Sequence, residues 1–157
     1  ILRTADGAFP GAVDAAALFQ QSAKAAGIPL EIKREPNDGY WSEVWNKQPF
    51  CASYWGGRPV QDQMYSTAYL STADWNDTRF NNPEFDKMLM AAKAELDDVK
   101  RKEIYGKMGR IMRDEGGLIC PMFNDFIDVV SDKIAGYSED PNGELMNAFA
   151  STDCWLA

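Results

Sequence analysis

The sequence contains no histidine. That absence removes Ser-His-Asp and Cys-His nucleophile systems, the HExxH zinc site and every histidine general base. Cysteine is scarce: Cys51, Cys120 and Cys154 stand far apart, with no CxxC pair to suggest zinc or thioredoxin-like chemistry. Each reads as a small apolar residue, and spacing alone leaves a Cys51–Cys120 disulfide open. No apolar run approaches 18 residues, so nothing is long enough to span a bilayer. Basic residues are outnumbered, 16 Lys plus Arg against 24 Asp plus Glu, for a net charge of −8. Nucleic acids and anionic membranes need a basic footprint, so nucleic acid is not an expected partner. No phosphate loop is present either, because Gly56-Gly57-Arg58-Pro59 lacks the Lys-Ser/Thr that would follow. No metal site and no cofactor are expected.

What remains is ordinary in amount. With 157 residues, 45% hydrophobic and 25% charged, the chain has the size and composition of one domain that needs no disulfide or metal staple. Ile1 opens straight into a strand-like run without a basic segment or apolar leader, and the expectation is a piece of a longer protein.

The periodicities predict a βαβ start. Ile1 to Thr4 is a short strand. A helix from Val13 carries Leu18, Phe19 and Ala23 on one face and ends at Gly27, and Leu30 and Ile32 alternate with Glu31 and Lys33 as a second strand. Asp38 is a candidate cap for a short helix bearing Trp41, Val44 and Trp45. Phe50 to Trp55 reads as a buried central strand ended by Gly56 and Gly57, with a short helix over Gln61 to Tyr69 beyond it. Asn82-Pro83 starts a helix with the stripe Phe85, Met88, Leu89, Ala92 and Leu96. Asp97 or Asp98 starts another with Ile104, Tyr105, Met108, Ile111 and Met112, ended by Gly116-Gly117, and the short connection predicts an antiparallel hairpin. Leu118 to Phe123 and Phe126 to Val130 read as further strands, the first broken by Pro121.

Nine of the nineteen aromatic residues fall between Tyr40 and Trp75. Trp41, Trp45 and Phe50 are assigned to the core. Trp55 differs, because it lies where a strand finishes, beside two glycines that allow close approach, and ligands of open α/β sheets bind beyond the carboxyl ends of strands. Arg58 shares its loop and suits a carboxylate or other anion. The candidate ligand-binding set is Trp55, Gly56, Gly57 and Arg58, with Tyr54, Asp62 and Tyr65 in support. Acidic pairs such as Asp97-Asp98, Asp114-Glu115 and Glu139-Asp140 read as caps and solvated charge rather than a catalytic acid and base. Asn76-Asp77-Thr78 is only a three-residue match to a glycosylation pattern.

Taken together, the βαβ start, "FCASYWGG" and "FNNPEFDKMLMAAKAELDDVKRKEIYGKMGRIMRDEGGLICPMF" resemble the C-terminal lobe of extracellular solute-binding proteins of the peptide/nickel family (family 5), which serve ATP-binding-cassette importers. Asn82 to Asp86 carries the Asn-Pro-x-Phe-Asp motif. The following helices with Arg101, Tyr105 and Asp114-Glu115, and Val129 to Gly136 with its Ile-Ala-Gly, extend the likeness over about residues 1–137. The resemblance implies an α/β, periplasmic-binding-protein-like (type II) lobe, with a mixed, mostly parallel sheet of four to five strands and helices on both faces. Residues 1–136 would form the ligand-binding lobe, and 137–157 a tail returning to the other lobe. It implies capture rather than catalysis: a peptide or similar small solute held between this lobe and an N-terminal lobe of the same protein, then presented to a membrane permease. The location would be periplasmic or extracellular, with any membrane anchor supplied by the N-terminal part. Trp55 matches an aromatic that faces the ligand in peptide-binding members, which carry an Asp shortly after it. Here Arg58 stands instead, which favours an anionic ligand. Two readings of other classes compete: a carbohydrate-active enzyme or sugar-binding module, from the aromatics and nearby acids, and an interaction module built on the helical hairpin.

Overall fold

The computed structural model describes residues 1–157. Strand β1 (Leu2–Thr4) and strand β2 (Ile32–Arg34) pair in parallel, Leu2 opposite Ile32 and Thr4 opposite Arg34, with helix α1 (Ala12–Ala25) as the crossover. The expected βαβ unit is therefore present. Arg3 and Lys33 both reach Glu35 just beyond β2, and the Arg3 guanidinium holds that carboxyl below its usual range. Gly27, at φ 77°, lets Ile28 N–H return to Ala23 O at 2.9 Å and closes α1 as predicted. The buried face of α1 includes Ala23 and half-buried Phe19 as expected, but not Leu18. Ala12, Ala16 and Ala23 are buried while Leu18, one position off that face, is 66% exposed.

The segment after β2 forms one π-helical turn, Tyr40–Val44. Asp38 does not cap it. The entry is made by Gly39 at φ 73°, and no side-chain bond is present there. The Tyr40 ring is buried, and its hydroxyl lies 2.7 Å from Ala52 O and 3.3 Å from Arg3 O. Phe50 to Trp55 was expected as a central strand, but it touches β1 through a single parallel bridge, Arg3 opposite Cys51. The Tyr40 hydroxyl sits on the carbonyl groups where the ladder would continue, so the third strand stops after one pair.

Helix α2 (Gln61–Ala68) leads to a loop and then to α3 (Pro83–Ala94) and α4 (Asp98–Glu115). Asn82 caps α3, its Oδ1 accepting from Glu84 and Phe85 N–H, and Asp97 caps α4 in the same way on Val99 and Lys100. Both starts match the sequence. The main core lies among these helices: Ala68, Tyr69, Phe80, Phe85, Leu89 and Met108, flanked by Met88, Ile104, Tyr105, Ile111 and Met112. Leu96 leaves the predicted stripe and is 91% exposed, because α3 has ended at Ala94 and the chain is already turning.

From Leu118 to Val130 the chain forms no helix or strand, and Phe123, Ile127 and Val129 are almost wholly exposed. Strand β3 (Ile134–Ala135) pairs antiparallel with β4 (Trp155–Leu156), around a left-handed turn α5 (Glu144–Asn147) and a short α6 (Ala150–Asp153). Instead of one sheet of four to five strands, the chain holds two sheets of two strands each. Ladders need edge partners, and the apolar stretch from 118 to 130 finds none within the chain. The three cysteines are free thiols.

Candidate ligand-facing site

Three separate segments bring aromatic rings to one surface: the π-helical turn supplies Trp41 and Trp45, the end of the bridged segment Tyr54 and Trp55, and the loop before α3 Trp75. Trp41 packs edge-on against Trp45 at 5.7 Å and against Tyr54 at 5.5 Å. Trp45, Trp55 and Trp75 form a triangle with centroids 6.1 to 6.3 Å apart. Such pairs contribute about 0.5–1.5 kcal/mol each beyond burial, enough to give the cluster a fixed shape. The surface is open: Trp41 is 39%, Trp75 53% and Tyr54 62% exposed, with Trp45 and Trp55 half-buried beneath.

The loop carrying Trp75 is tightly fixed. Buried Asn76 closes it, accepting from Phe80 N–H at 3.1 Å and donating to Phe80 O at 2.7 Å. Asn46 donates to Asp74 O at 2.9 Å and Arg79 donates to Asn46 O, tying the loop to the turn beside Trp45. Asn46 and Arg79 both hold left-handed backbone (φ 56° and 57°), a conformation that costs about 1 kcal/mol or more outside glycine. In the middle lies Asp77. Its Oδ2 accepts from Trp45 Nε1 at 2.7 Å and from Trp55 Nε1 at 3.3 Å. Its charge reaches inward. Burial first, and then Asp77, pushes the Cys51 thiol above its ordinary value and the Tyr69 phenol up to about 12.

The sequence-derived candidates separate into groups. Trp55 joins the aromatic surface, and Tyr54 joins it through Trp41. Gly56, Gly57 and Arg58 are exposed beside it. Arg58 Nη1 donates to Gly56 O at 2.9 Å and Gly57 O at 3.1 Å, and the rest of the guanidinium meets no protein acceptor. Tyr65 turns away and packs against Phe85 at 5.3 Å and Tyr105 at 6.1 Å in the helical core, where burial raises its phenol. Asp62 is half-buried on the same helix, and its charge is felt at Tyr105. Trp41, expected in the core, lies at the surface, Trp45 is half-buried beneath it, and Trp75 and Asp77 join the cluster without being among the sequence-derived candidates. The sequence signal for Asp77 is Trp75, two residues before it.

Another hollow lies elsewhere, an open groove of about 460 Å³ on the face of α4 lined by Val99, Lys102, Glu103, Gly106, Lys107 and Arg110. It is a shallow charged helix surface, and the aromatic surface offers the better-defined chemistry.

No protein-family model matches the sequence. A search of curated proteins returns no match. Solved structures do match. The oligopeptide-binding protein AppA from Bacillus subtilis, in complex with a nonapeptide, superposes over 99% of this chain and 31% of its own, with TM-score 0.70 and 20% identity. The periplasmic murein tripeptide binding protein MppA, in an unliganded open form, covers 99% of this chain and 30% of its own, with TM-score 0.63 and 20% identity. NikZ from Campylobacter jejuni, in complex with Ni(L-His), matches 71% of this chain and 23% of its own, with TM-score 0.58 and 18% identity. The chain therefore spans less than a third of each, and the likeness establishes a fold shared with solute-binding proteins.

Proposed function

We propose that this chain is the C-terminal lobe of an extracellular solute-binding protein of the peptide/nickel family, a binding component rather than an enzyme. Residues 1–136 form the ligand-facing lobe and 137–157 the return segment. The partners are a peptide or similar small solute, the N-terminal lobe of the same protein and the membrane permease of an ABC importer. The whole protein works outside the cytoplasmic membrane. The observation that carries this reading is the superposition of nearly the entire chain on one third of a protein solved with a bound nonapeptide. The open aromatic surface around Trp55 supports it, since it supplies one wall for a ligand that a second lobe would cover. The stretch from 118 to 130 supports it as well, because it is apolar, uncovered and without ladder partners in this chain, as a segment that pairs and packs only in a larger sheet would be.

Such a protein acts by closing two lobes on its ligand. One wall alone forfeits burial and closure, so this chain by itself binds solute weakly. The test uses the full-length parent protein. Mass spectrometry of whatever co-purifies identifies the ligand, and small-angle scattering with and without it reads closure. Compaction on ligand addition is the expected result. Unchanged scattering, or tight micromolar binding by the 157-residue chain alone, overturns the two-lobe reading.

A further inference from the structure

Asp77 is a carboxylate held by two indoles of a three-tryptophan cluster, with only one of its two oxygens engaged. Oδ2 takes both indole N–H groups. Oδ1 has no hydrogen-bond partner, and it is not one of the buried unpaired side-chain atoms, which are Asn46 Oδ1 and Ser66 Oγ, so it meets solvent. No lysine or arginine pairs with Asp77. The nearest in sequence, Arg79, is turned to the Asn46 carbonyl. The only polar side-chain partners of Asp77 are the two indole N–H groups, so one oxygen is left free to take a further donor or cation. The rings around it add attraction of the same sign. Their centroid spacing leaves no space between them, but a group seated over the triangle comes within about 6 Å of all three, the reach of a cation–π contact.

We propose that Asp77 with Trp45, Trp55 and Trp75 forms a site for a cationic group of the ligand, a primary or quaternary ammonium. The indole N–H groups hold the carboxylate in place, Oδ1 faces the cation, and the exposed rings supply its remaining contacts. This rests on the reading that the aromatic surface faces the ligand, and it is the opposite of the preference expected from Arg58, which lies exposed in the loop beyond Trp55 and is not part of this site.

The experiment titrates the 157-residue chain by tryptophan fluorescence with choline, with the uncharged alcohol in which carbon replaces its quaternary nitrogen, and with acetate. Choline is expected to half-saturate at a concentration about fivefold lower than its neutral isostere, and acetate to give no saturable change. Asp77→Asn keeps a carbonyl oxygen for both indoles and removes the charge, so the preference for choline should vanish while far-ultraviolet circular dichroism is unchanged. Trp75→Leu, which alters an exposed ring only, should weaken choline binding and leave the fold intact. Equal titration by choline and its isostere, a preference that survives in Asp77→Asn, or no saturable response overturns the proposal. Lobe closure in the parent protein is read independently. Closure without cation preference removes this site alone, whereas cation preference without closure keeps the site and removes the receptor reading.

Discussion

At the scale of single residues, one carboxylate oxygen organises the candidate site. Asp77→Ala frees the Trp45 and Trp55 N–H groups, and losing a charged acceptor of this kind costs about 1–3 kcal/mol. Acrylamide should then quench tryptophan emission more strongly and near-ultraviolet circular dichroism should weaken, while Asp77→Asn retains both signals. If Asp77→Ala leaves both spectra as they were, the indoles are held by packing alone. Tyr69 gives a pH-dependent counterpart. Its phenol titrates near 12 in the fold, against about 10 when unfolded, chiefly through burial and then through Asp77. The neutral form is favoured in the fold, so its contribution is complete below pH about 10 and is lost as pH rises toward 12, roughly 3 kcal/mol in all. Alkaline unfolding should be shallower in Tyr69→Phe. Trp55 was legible in the sequence because two glycines follow it at a strand end. Asp77 was not, because an acid in a loop is ordinarily solvated and only the spatial meeting of two distant tryptophans makes this one an acceptor.

At the scale of elements, local chemistry explains what sequence reading recovers. Asn82 and Asp97 sit just before apolar stripes and cap helices as their types predict. Asn82→Ala should cost about 1 kcal/mol in urea unfolding, and Leu89→Ala, wholly buried between α3 and α4, about 2–5 kcal/mol. Near-equal losses for the two would mean that capping, not packing, dominates the hairpin. Elements whose faces are chosen by distant neighbours were less legible. Helix α1 buries Ala12, Ala16 and Ala23 with Phe19 half-covered and leaves Leu18 bare, so the expected stripe holds for Phe19 and Ala23 and fails at Leu18. The turn at Tyr40 is entered through Gly39 rather than through an Asp38 cap, because only the left-handed glycine lets the chain reverse so sharply. Phe50 to Trp55 has strand composition, yet whether a ladder forms there depends on Tyr40, twelve residues from Ala52, whose hydroxyl takes the carbonyl instead.

At the scale of the whole molecule, surface area is the informative quantity. A monomer of 17.6 kDa ordinarily exposes roughly 7,900 Å². This chain exposes 11103 Å², and only 18 of its 157 residues are buried. Much of the excess is apolar and contiguous in sequence: Leu118, Ile119, Met122, Phe123, Phe126, Ile127, Val129 and Val130 are all exposed. Single exposed leucines need no explanation, but a run of this kind marks a surface meant to be covered. Its strand-like composition was plain in the sequence. The lack of a pairing strand was not, since a ladder is a property of two segments. If a second lobe covers this stretch, Phe123→Ser, Ile127→Ser and Val129→Ser combined should change the stability of the 157-residue chain by no more than about 0.5 kcal/mol per site, as expected for surface positions. The same three changes in the parent protein should cost several times more, because each side chain would then be lost from an interior. Paired urea titrations of the two proteins measure that difference. A triple variant that destabilises the short chain as much as the long one would mean that these side chains already pack within residues 1–157, leaving the surplus area without the second lobe as its cause.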